Sequence, residues 1–311
     1  MSQFYSNGKL LLTGEYLVLD GATALAVPTK FGQDLLVSKI TESQLIWGSF
    51  THTGDCWFEA VFDLPKLRLV SATFNSDTEE NAEFIAETLQ DILQEARKLN
   101  PGFLQSKTGF IVKTTLTFPR DWGLGTSSTL VNNIAQWAAI DAYQLLQNSF
   151  SGSGYDIANA QHNLPILYQL KNKKPLIKTV DFSPQFSDQL YFVYLNKKQN
   201  SREGIAKYKE NNDDFKNEIH RISEISLEMC SVKSLLDFER LIEEHEQIIA
   251  SIIKLKPVKE LLFPDYLGAI KSLGAWGGDF FLATCRDIEK AKTYFSTKGY
   301  ETMFTYKELI K

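Results

Sequence analysis

Short hydrophobic runs, rich in β-branched and aromatic residues, dominate the first 120 residues of the chain. The runs that predict β-strands are KLLLTG, DLLVSKI, QLIWGSF, CWFEAVF and FIVKTTLTF. The segment 79–98 has helical spacing instead, and an Asn-Pro-Gly sequence ends it. Its repeating apolar positions are Phe84, Ile85, Leu89, Ile92, Leu93 and Ala96. The pattern therefore predicts strands that are interrupted by one helix.

Helical patterns become more frequent after residue 120. A helix is predicted from near Ser127 to about Gln147, and SGSGYDIANAQHNLPIL repeats the pattern of a Gly/Ser loop that leads into a helix. PLIKTVDF and LYFVYL predict strands, whereas 201–255 is charged and helical. LGAIKSLGAWGGDFFLATC predicts a helix, a glycine loop and a strand, and a final helix and strand follow. This mixed order indicates an α+β protein with two lobes, which we expect at 1–180 and 181–311.

Composition narrows the class of protein. The net charge of −5 over 311 residues argues against a nucleic-acid-binding protein, which usually has a basic domain. We find neither a signal-peptide pattern nor an apolar run long enough for a membrane span, so we expect a cytoplasmic protein. Cys56, Cys230 and Cys285 are far apart without metal-binding spacing, so we expect reduced thiols.

The segment PRDWGLGTSSTLV, residues 119–131, joins a predicted strand to a predicted helix. The first N–H groups of a helix lack partners within the helix and carry partial positive charge, and glycines let a bulky anion approach the backbone. Gly123, Gly125 and the hydroxyl residues 126–129 therefore fit a phosphate-binding loop. They also fit an ordinary loop with a Ser or Thr helix cap, and they match neither the P-loop nor the dinucleotide-binding pattern.

Further features bear on that choice. Lys9 lies in a strand-like run, where it could neutralise a phosphate or simply be solvated. Asp156 begins a helix behind two glycines, where a carboxylate can accept a hydroxyl proton, hold Mg²⁺, or only favour the helix dipole. SLGAWGGDFF supplies another glycine loop.

Taken in order, these stretches resemble the motifs of the GHMP kinase superfamily, named for galactokinase, homoserine kinase, mevalonate kinase and phosphomevalonate kinase. GKLLLTGEYLVLDG resembles its first motif, PRDWGLGTSSTLV its ATP-binding motif, GSGYDIA its catalytic-aspartate loop, and GAIKSLGAWGGD its third motif. The details look closer to the mevalonate and phosphomevalonate kinase branch than to galactokinase. The resemblance implies an N-terminal lobe like ribosomal protein S5 domain 2 and a ferredoxin-like C-terminal lobe.

The resemblance also implies roles for individual residues. Asp156 would be catalytic, orienting or deprotonating the acceptor hydroxyl, and Lys9 would lie beside it as the second catalytic residue. Ser127 or Ser128 would reach Mg²⁺. The residues implied to line ATP are Gly123, Leu124, Gly125, Thr126, Ser127 and Ser128. The residues implied to meet the substrate are Glu15, Tyr16, Arg202, Gly277 and Gly278.

The chain departs from the family pattern in two places. The Mg²⁺-binding Glu that usually precedes the catalytic Asp by about ten residues is missing, and Asp141 is one substitute. Trp276 stands where the third motif usually has a small residue, so it either packs against the substrate or fills the core.

Together these features predict an ATP- and Mg²⁺-dependent kinase that phosphorylates a small molecule, with mevalonate or phosphomevalonate as the expected acceptor. We expect neither nucleic acid nor a membrane as partner, and a homodimer is an open alternative. The alternative functions are a non-catalytic ligand sensor on the same fold, a sugar kinase, and an ATP-dependent decarboxylase.

Overall fold

The computed structural model describes residues 1–75, 81–210 and 213–311, apart from the side chains of residues 201, 202 and 207. The described chain contains both helices and antiparallel strands, which confirms the α+β class. It divides into two compact units that alternate along the sequence. Unit 1 comprises 1–8, 31–120 and 125–161, and unit 2 comprises 9–30, 121–124 and 162–311. The lobe limits 1–180 and 181–311 stay a prediction.

The strands of the N-terminal part lie mostly in unit 1, although residues 9–11 and 24–30 belong to unit 2. They are β1 (Ser2–Leu11), β2 (Ala24–Ile40), β3 (Gln44–Phe50), β4 (Cys56–Asp63), β5 (Leu69–Phe74) and β6 (Gly109–Leu116). The order is β5-β4-β3-β6-β2, and β1 also pairs with β2. The β3–β6 pair is parallel, whereas β2–β6, β3–β4 and β4–β5 are antiparallel.

Helices pack against this sheet to form the core of unit 1. They are α1 (Ala82–Leu99), α2 (Thr126–Ala138), α3 (Ala142–Ser149) and α4 (Tyr155–Gln161). The side chain of Asn81 caps α1 by accepting the Glu83 N–H at 2.8 Å, as expected for an Asn at this position. Large buried side chains of the sheet, such as Trp47 and Phe62, share one core cluster with Leu93 of α1 and Ile134 of α2.

Unit 2 contains two groups of strands and most of the helices. Its strands are β7 (Ile166–Lys171), β8 (Lys174–Thr179), β9 (Leu190–Tyr194), β10 (Ile270–Ser272), β11 (Phe280–Thr284) and β12 (Met303–Thr305). Its helices are α5 (Ser201–Glu210), α6 (Lys216–Ser231), α7 (Leu235–Ile253), α8 (Val258–Leu262), α9 (Ile288–Thr297) and α10 (Tyr306–Leu309). β7 pairs with β8 and with the beginning of β2, and the second sheet has the antiparallel order β10-β11-β9-β12.

The structure corrects two of the predicted helices. The helix expected over 127–147 is two helices, because Ala139 adopts a left-handed conformation (φ +54°) that ends α2 and Asp141 caps the start of α3. The helix expected before the third glycine loop is absent from the described chain: 270–272 form β10, which is paired with β11. Residues 79 and 80, the first two of the predicted helix 79–98, lie outside the described residues.

Other expectations agree with the structure. The predicted strands before residue 120 correspond to β1, β2, β3, β4 and β6, although β5 was not predicted. The three cysteines are free thiols. Among the described helices, none combines the length and apolar character that a membrane span requires.

Candidate nucleotide-binding site

The N-terminus of α2 in unit 1 has the features of an anion site. Gly125, the residue before the helix, adopts φ +96°, and no described side chain caps the helix there. The hydroxyls that could cap it point elsewhere: Ser128 donates to the Gly125 carbonyl at 2.9 Å, while Ser127 is exposed. The first amides of α2 therefore remain available to a ligand, as a helix N-terminus that binds phosphate requires.

A buried polar network holds α2 in unit 1. The Thr129 hydroxyl donates to Gln33 Oε1 at 2.6 Å, and Gln33 Nε2 donates to Thr114 at 2.8 Å. Asn133 of α2 donates to the Gln33 carbonyl at 2.9 Å and accepts from Ser6 at 2.7 Å. Because these buried groups find partners on β1, β2 and β6, the helix cannot shift without breaking several hydrogen bonds.

Asp156 lies in the first turn of α4, which packs directly against α2. The amide of Gln161 donates to Asn132 Oδ1 at 2.9 Å and links the two helices. Gly152 and Gly154, with φ of +127° and +87°, make the turn that leads into α4. Unit 1 thus places the predicted catalytic carboxylate on a helix that is packed against the helix of the predicted phosphate-binding loop.

In unit 2, the first half of the loop meets Lys9 and the third glycine loop. The backbone N–H of Lys9 donates to the Leu124 carbonyl at 3.0 Å. At Gly123 (φ +68°), an added Cβ would collide with the carboxylate of Asp279, closer than real Cβ atoms approach any heavy atom. Lys9, Gly123 and Leu124 are therefore brought together, and Asp279 joins them.

Aromatic packing fixes the beginning of this loop in unit 2. The Trp122 ring packs edge-on against Phe304 and Phe280, with centroid distances of 5.2 and 5.7 Å. Beside it, the Tyr194 hydroxyl donates to the Asp121 carboxylate at 3.0 Å. These contacts anchor residues 121–122 to the second sheet, so the glycine that follows has a defined position.

The predicted substrate residue Glu15 belongs to a buried ionic cluster in unit 2. Its Oε1 accepts from Lys271 Nζ at 2.7 Å, and its Oε2 lies 3.1 Å from His245 Nε2. Lys271 also donates to Glu246 at 3.3 Å, and Glu246 accepts from the Ser272 hydroxyl at 2.7 Å. The Glu15, His245 and Lys271 side chains are fully buried, which favours a structural role, and contact of Glu15 with substrate stays a prediction.

Burial and mutual charge set the protonation of this cluster. Burial alone would raise the pKa of Glu15, but Lys271 and His245 outweigh it and hold that pKa at about 2. Burial, with Lys271, lowers the pKa of His245 to about 4, against the raising effect of Glu15. Burial raises the pKa of Glu246 to about 7, although Lys271 opposes it. At neutral pH the cluster therefore holds a charged Glu15–Lys271 pair beside a neutral imidazole.

Tyr16 connects the first motif to the third glycine loop and to α5, all within unit 2. Its hydroxyl donates to the Ala275 carbonyl at 2.8 Å, and its ring lies 5.6 Å from that of Tyr208. Tyr208 in turn donates to the Asp20 carboxylate. Gly204 of α5 faces Tyr16 so closely that an added Cβ would collide with the Tyr16 hydroxyl. Burial raises the pKa of Tyr16 to about 12, so the hydroxyl stays protonated and can donate.

The third glycine loop carries the other predicted substrate residues. Gly277 is exposed with φ +82°, and Gly278 is buried against the Lys197 carbonyl. Trp276 adopts φ +55° and is 1% exposed, so its ring fills the interior of the protein. Arg202 falls within α5, but its side chain lies outside the described residues. The substrate roles of Arg202, Gly277 and Gly278 stay predictions.

Three groups of this region were not predicted from the sequence. The Gly-Gly-Asp sequence indicated a tight loop, yet the approach of Asp279 to Gly123 involves residues more than 150 positions apart. Lys271 in the apolar run AIKSL was a signal of a buried cation, since lysine is rarely buried without a partner. His245 and Glu246 carried no signal, because they sit in an ordinary amphipathic helix.

Comparison with solved structures identifies the fold. Phosphomevalonate kinase of Streptococcus pneumoniae, in complex with phosphomevalonate and AMPPNP, superposes with a TM-score of 0.69 at 16% identity, covering 98% of this chain and 100% of that one. Mevalonate kinase of Methanococcus jannaschii gives 0.68 at 15% identity (97% and 96% covered), and Lactococcus lactis galactokinase with galactose gives 0.67 at 14% (97% and 92% covered). This chain has the GHMP kinase fold.

The match extends over nearly the whole chain, so it confirms the fold that the resemblance of the four motifs implied. No family model and no curated protein matches the chain by sequence. Identities of 14–16% establish the fold alone, so the activity has to be argued from the residues of the site.

Proposed function

We propose that this protein is an ATP-dependent kinase that transfers the γ-phosphate to a hydroxyl or phosphate group of a small molecule. The observation that carries the proposal lies in unit 2: the Lys9 backbone N–H donates to the Leu124 carbonyl of the predicted ATP loop, and the Lys9 charge acts on Asp279, whose carboxylate lies against Gly123. A cation, a glycine loop and a helix N-terminus are the parts that phosphoryl transfer needs for charge neutralisation and positioning.

The residues present fit the triphosphate of ATP. Gly123 and Gly125 both have positive φ, and Gly125 precedes a helix of 13 residues whose N-terminus no described side chain caps. Backbone N–H groups at such a helix start can bind phosphate oxygens. We therefore assign nucleotide binding to residues 123–128, with Thr126 and Ser127 hydroxyls available as additional donors.

The residues also fit Mg²⁺, which would neutralise phosphate charge and orient the transferred group. Mg²⁺ prefers oxygen ligands and usually binds through one or two carboxylates together with substrate phosphates and water. Of the two predicted hydroxyl ligands, Ser127 is exposed, whereas Ser128 is buried. Asp141 is committed to capping α3, with Tyr143 N–H at 2.7 Å, so it is a poor substitute for the missing glutamate.

Asp156 and Lys9 retain their assigned catalytic roles in this proposal. A carboxylate at the beginning of α4 can accept the proton of an acceptor hydroxyl or orient it for attack. Lys9 can stabilise the negative charge that develops on the transferred phosphoryl group. The chain itself has to supply only these two groups and the aligned amides, because the nucleotide brings the reactive bond.

The expected acceptor is mevalonate or phosphomevalonate, because the motif details favour that branch and both kinases are among the structural neighbours. Sugars are the second candidate, since galactokinase superposes nearly as well. The test is ATP consumption by purified protein over a panel of mevalonate, phosphomevalonate, galactose and heptose phosphates. We expect turnover with one acceptor class and its loss in Asp156→Asn.

The same assay separates the rival functions. ATP binding without turnover on any acceptor would favour a ligand sensor and refute the kinase. Release of carbon dioxide together with ATP consumption would identify a decarboxylase. Detecting ADP and the phosphorylated acceptor in equal amounts, without carbon dioxide, would establish the kinase reaction.

A further inference from the structure

The carboxylate of Asp279 lies against the glycine that opens the predicted phosphate-binding loop. The three atoms nearest to an added Cβ at Gly123 are the carboxylate carbon and both carboxylate oxygens of Asp279. Both residues belong to unit 2, as does Lys9, which acts electrostatically on the same carboxylate. An acidic group at this place is unexpected, because the loop is proposed to receive an anion.

The protein holds this carboxylate in a fixed orientation. The Asp279 backbone donates to the Lys197 carbonyl at 2.7 Å and accepts from the Leu195 N–H at 2.8 Å. Its Oδ1 accepts from the Gln199 N–H at 3.0 Å. Its φ of +55° is a conformation that Asp and Asn adopt more readily than other non-glycine residues. The other carboxylate oxygen, Oδ2, takes no part in this hydrogen bond and is among the atoms nearest to an added Cβ at Gly123.

The negative charge of the Asp279 carboxylate restricts which groups can lie next to Oδ2. Like charges that lie close together and are partly removed from water repel each other strongly. A half-buried carboxylate next to bound phosphates would therefore oppose binding unless a cation lay between them. Lys9 and Lys198 offset part of the carboxylate's charge.

A divalent cation between the Asp279 carboxylate and the bound phosphates would neutralise the charge of both. No cluster of three acidic, histidine or cysteine residues able to hold a metal occurs among the described residues, so a cation would take its other ligands from phosphates and water. We propose that Asp279 supplies a carboxylate ligand to the divalent cation that accompanies the nucleotide. This inference rests on the proposed kinase function, and it gives a replacement for the glutamate that the sequence lacks.

The test measures ATP affinity with and without metal. Dissociation constants for ATP are determined by calorimetry, in Mg²⁺ and in EDTA, for the wild type and for Asp279→Asn, which keeps the shape and the left-handed backbone. We expect Mg²⁺ to tighten ATP binding at least about tenfold in the wild type and to have little effect in the variant. We also expect the variant to bind metal-free ATP more tightly than the wild type, because a repelling charge is gone.

Asp287→Asn is the matched control. It makes the same charge change in unit 2, at the residue that caps α9. Its ATP affinities in Mg²⁺ and in EDTA should both match those of the wild type. If Asp279→Asn weakens ATP binding equally with and without Mg²⁺, or changes neither affinity, Asp279 does not bind the cation and the inference is wrong. If the wild type binds ATP neither in Mg²⁺ nor in EDTA, the proposed kinase function is wrong instead.

A measurement on the wild type covers the case that Asp279→Asn does not fold. Fe²⁺ replaces Mg²⁺ in the presence of ATP, and ascorbate with peroxide then cleaves the backbone next to the bound iron. Mass spectrometry should locate an ATP-dependent cut at residues 277–281. ATP-dependent cleavage confined to other segments would overturn the assignment of Asp279.

Discussion

The buried cluster around Lys271 makes a specific prediction about stability and pH. Burial raises the pKa of Glu246 to about 7, whereas an unfolded glutamate titrates near 4.5, so the folded protein binds the extra proton between these values. Stability therefore falls as pH rises from about 4.5 to 7 because of this group. The groups that face it are Lys271, Ser272 and the carboxylate of Glu15.

The magnitude follows from the size of the shift. A displacement of about 2.5 pKa units corresponds to roughly 3 kcal/mol of stability lost between pH 4.5 and pH 7. His245 acts in the opposite direction, because its folded pKa of about 4 lies below the unfolded value of 6.5. Stability due to His245 is gained as pH rises from about 4 to 6.5. The two slopes largely cancel in the wild type, so its stability should vary little in this range.

Replacing Glu246 by glutamine removes one of the two opposing effects of pH on the free energy of unfolding. The free energy of unfolding of Glu246→Gln, measured by urea titration at pH 5, 6 and 7, should rise with pH relative to the wild type, by up to about 3 kcal/mol. A constant offset is expected in addition, because the amide cannot satisfy both Lys271 and Ser272. Glu243→Gln, an exposed position on the same helix, should give a curve parallel to the wild type. Parallel curves for Glu246→Gln as well would refute the buried-proton interpretation.

Three further variants test the site itself. Asp156→Asn should lower kcat about 100-fold or more while ATP affinity stays unchanged, and an unaltered rate in the kinetic assay would remove Asp156 from the mechanism. Gly125→Val should abolish ATP binding in calorimetry, because a branched side chain is strained at φ +96° and occupies the phosphate position; undiminished affinity would refute the loop assignment. Gly204→Ala should lower the melting temperature, because its Cβ collides with the Tyr16 hydroxyl, and adding Tyr16→Phe should restore part of the loss. Additive effects of Gly204→Ala and Tyr16→Phe would show that the two residues do not touch.

Local signals were sufficient for the parts of the site that lie within single segments. Gly123 and Gly125 adopt positive φ, as the glycine pattern of the loop indicated, and Thr126 begins α2 close to where the helix was expected. Asp156 begins α4 after a glycine turn, as predicted. These features depend on neighbouring residues, so a local reading of the chain can recover them.

The errors came from short elements whose structure is decided by distant partners. Residues 270–272 look helical in isolation, but their pairing with β11 and the burial of Lys271 make them a strand. The break at Ala139 was hidden because alanine favours helices, and only the backbone reveals its left-handed conformation. Tertiary contacts overrode propensity in both cases.

Long-range charge pairing is the feature of Glu15 that the sequence could not show. A Gly-Glu-Tyr sequence at the end of a motif strand presents an acidic side chain of no fixed direction, and its partner Lys271 is 256 residues away. Within unit 2, the Glu15 carbonyl accepts the Leu17 N–H at the beginning of the 3-10 turn Leu17–Asp20, and Tyr16 donates to the Ala275 carbonyl of the third glycine loop. The charges that act on one another beside Gly123 in unit 2 are those of Asp279, Lys9 and Lys198, while contact of Glu15 with substrate stays a prediction.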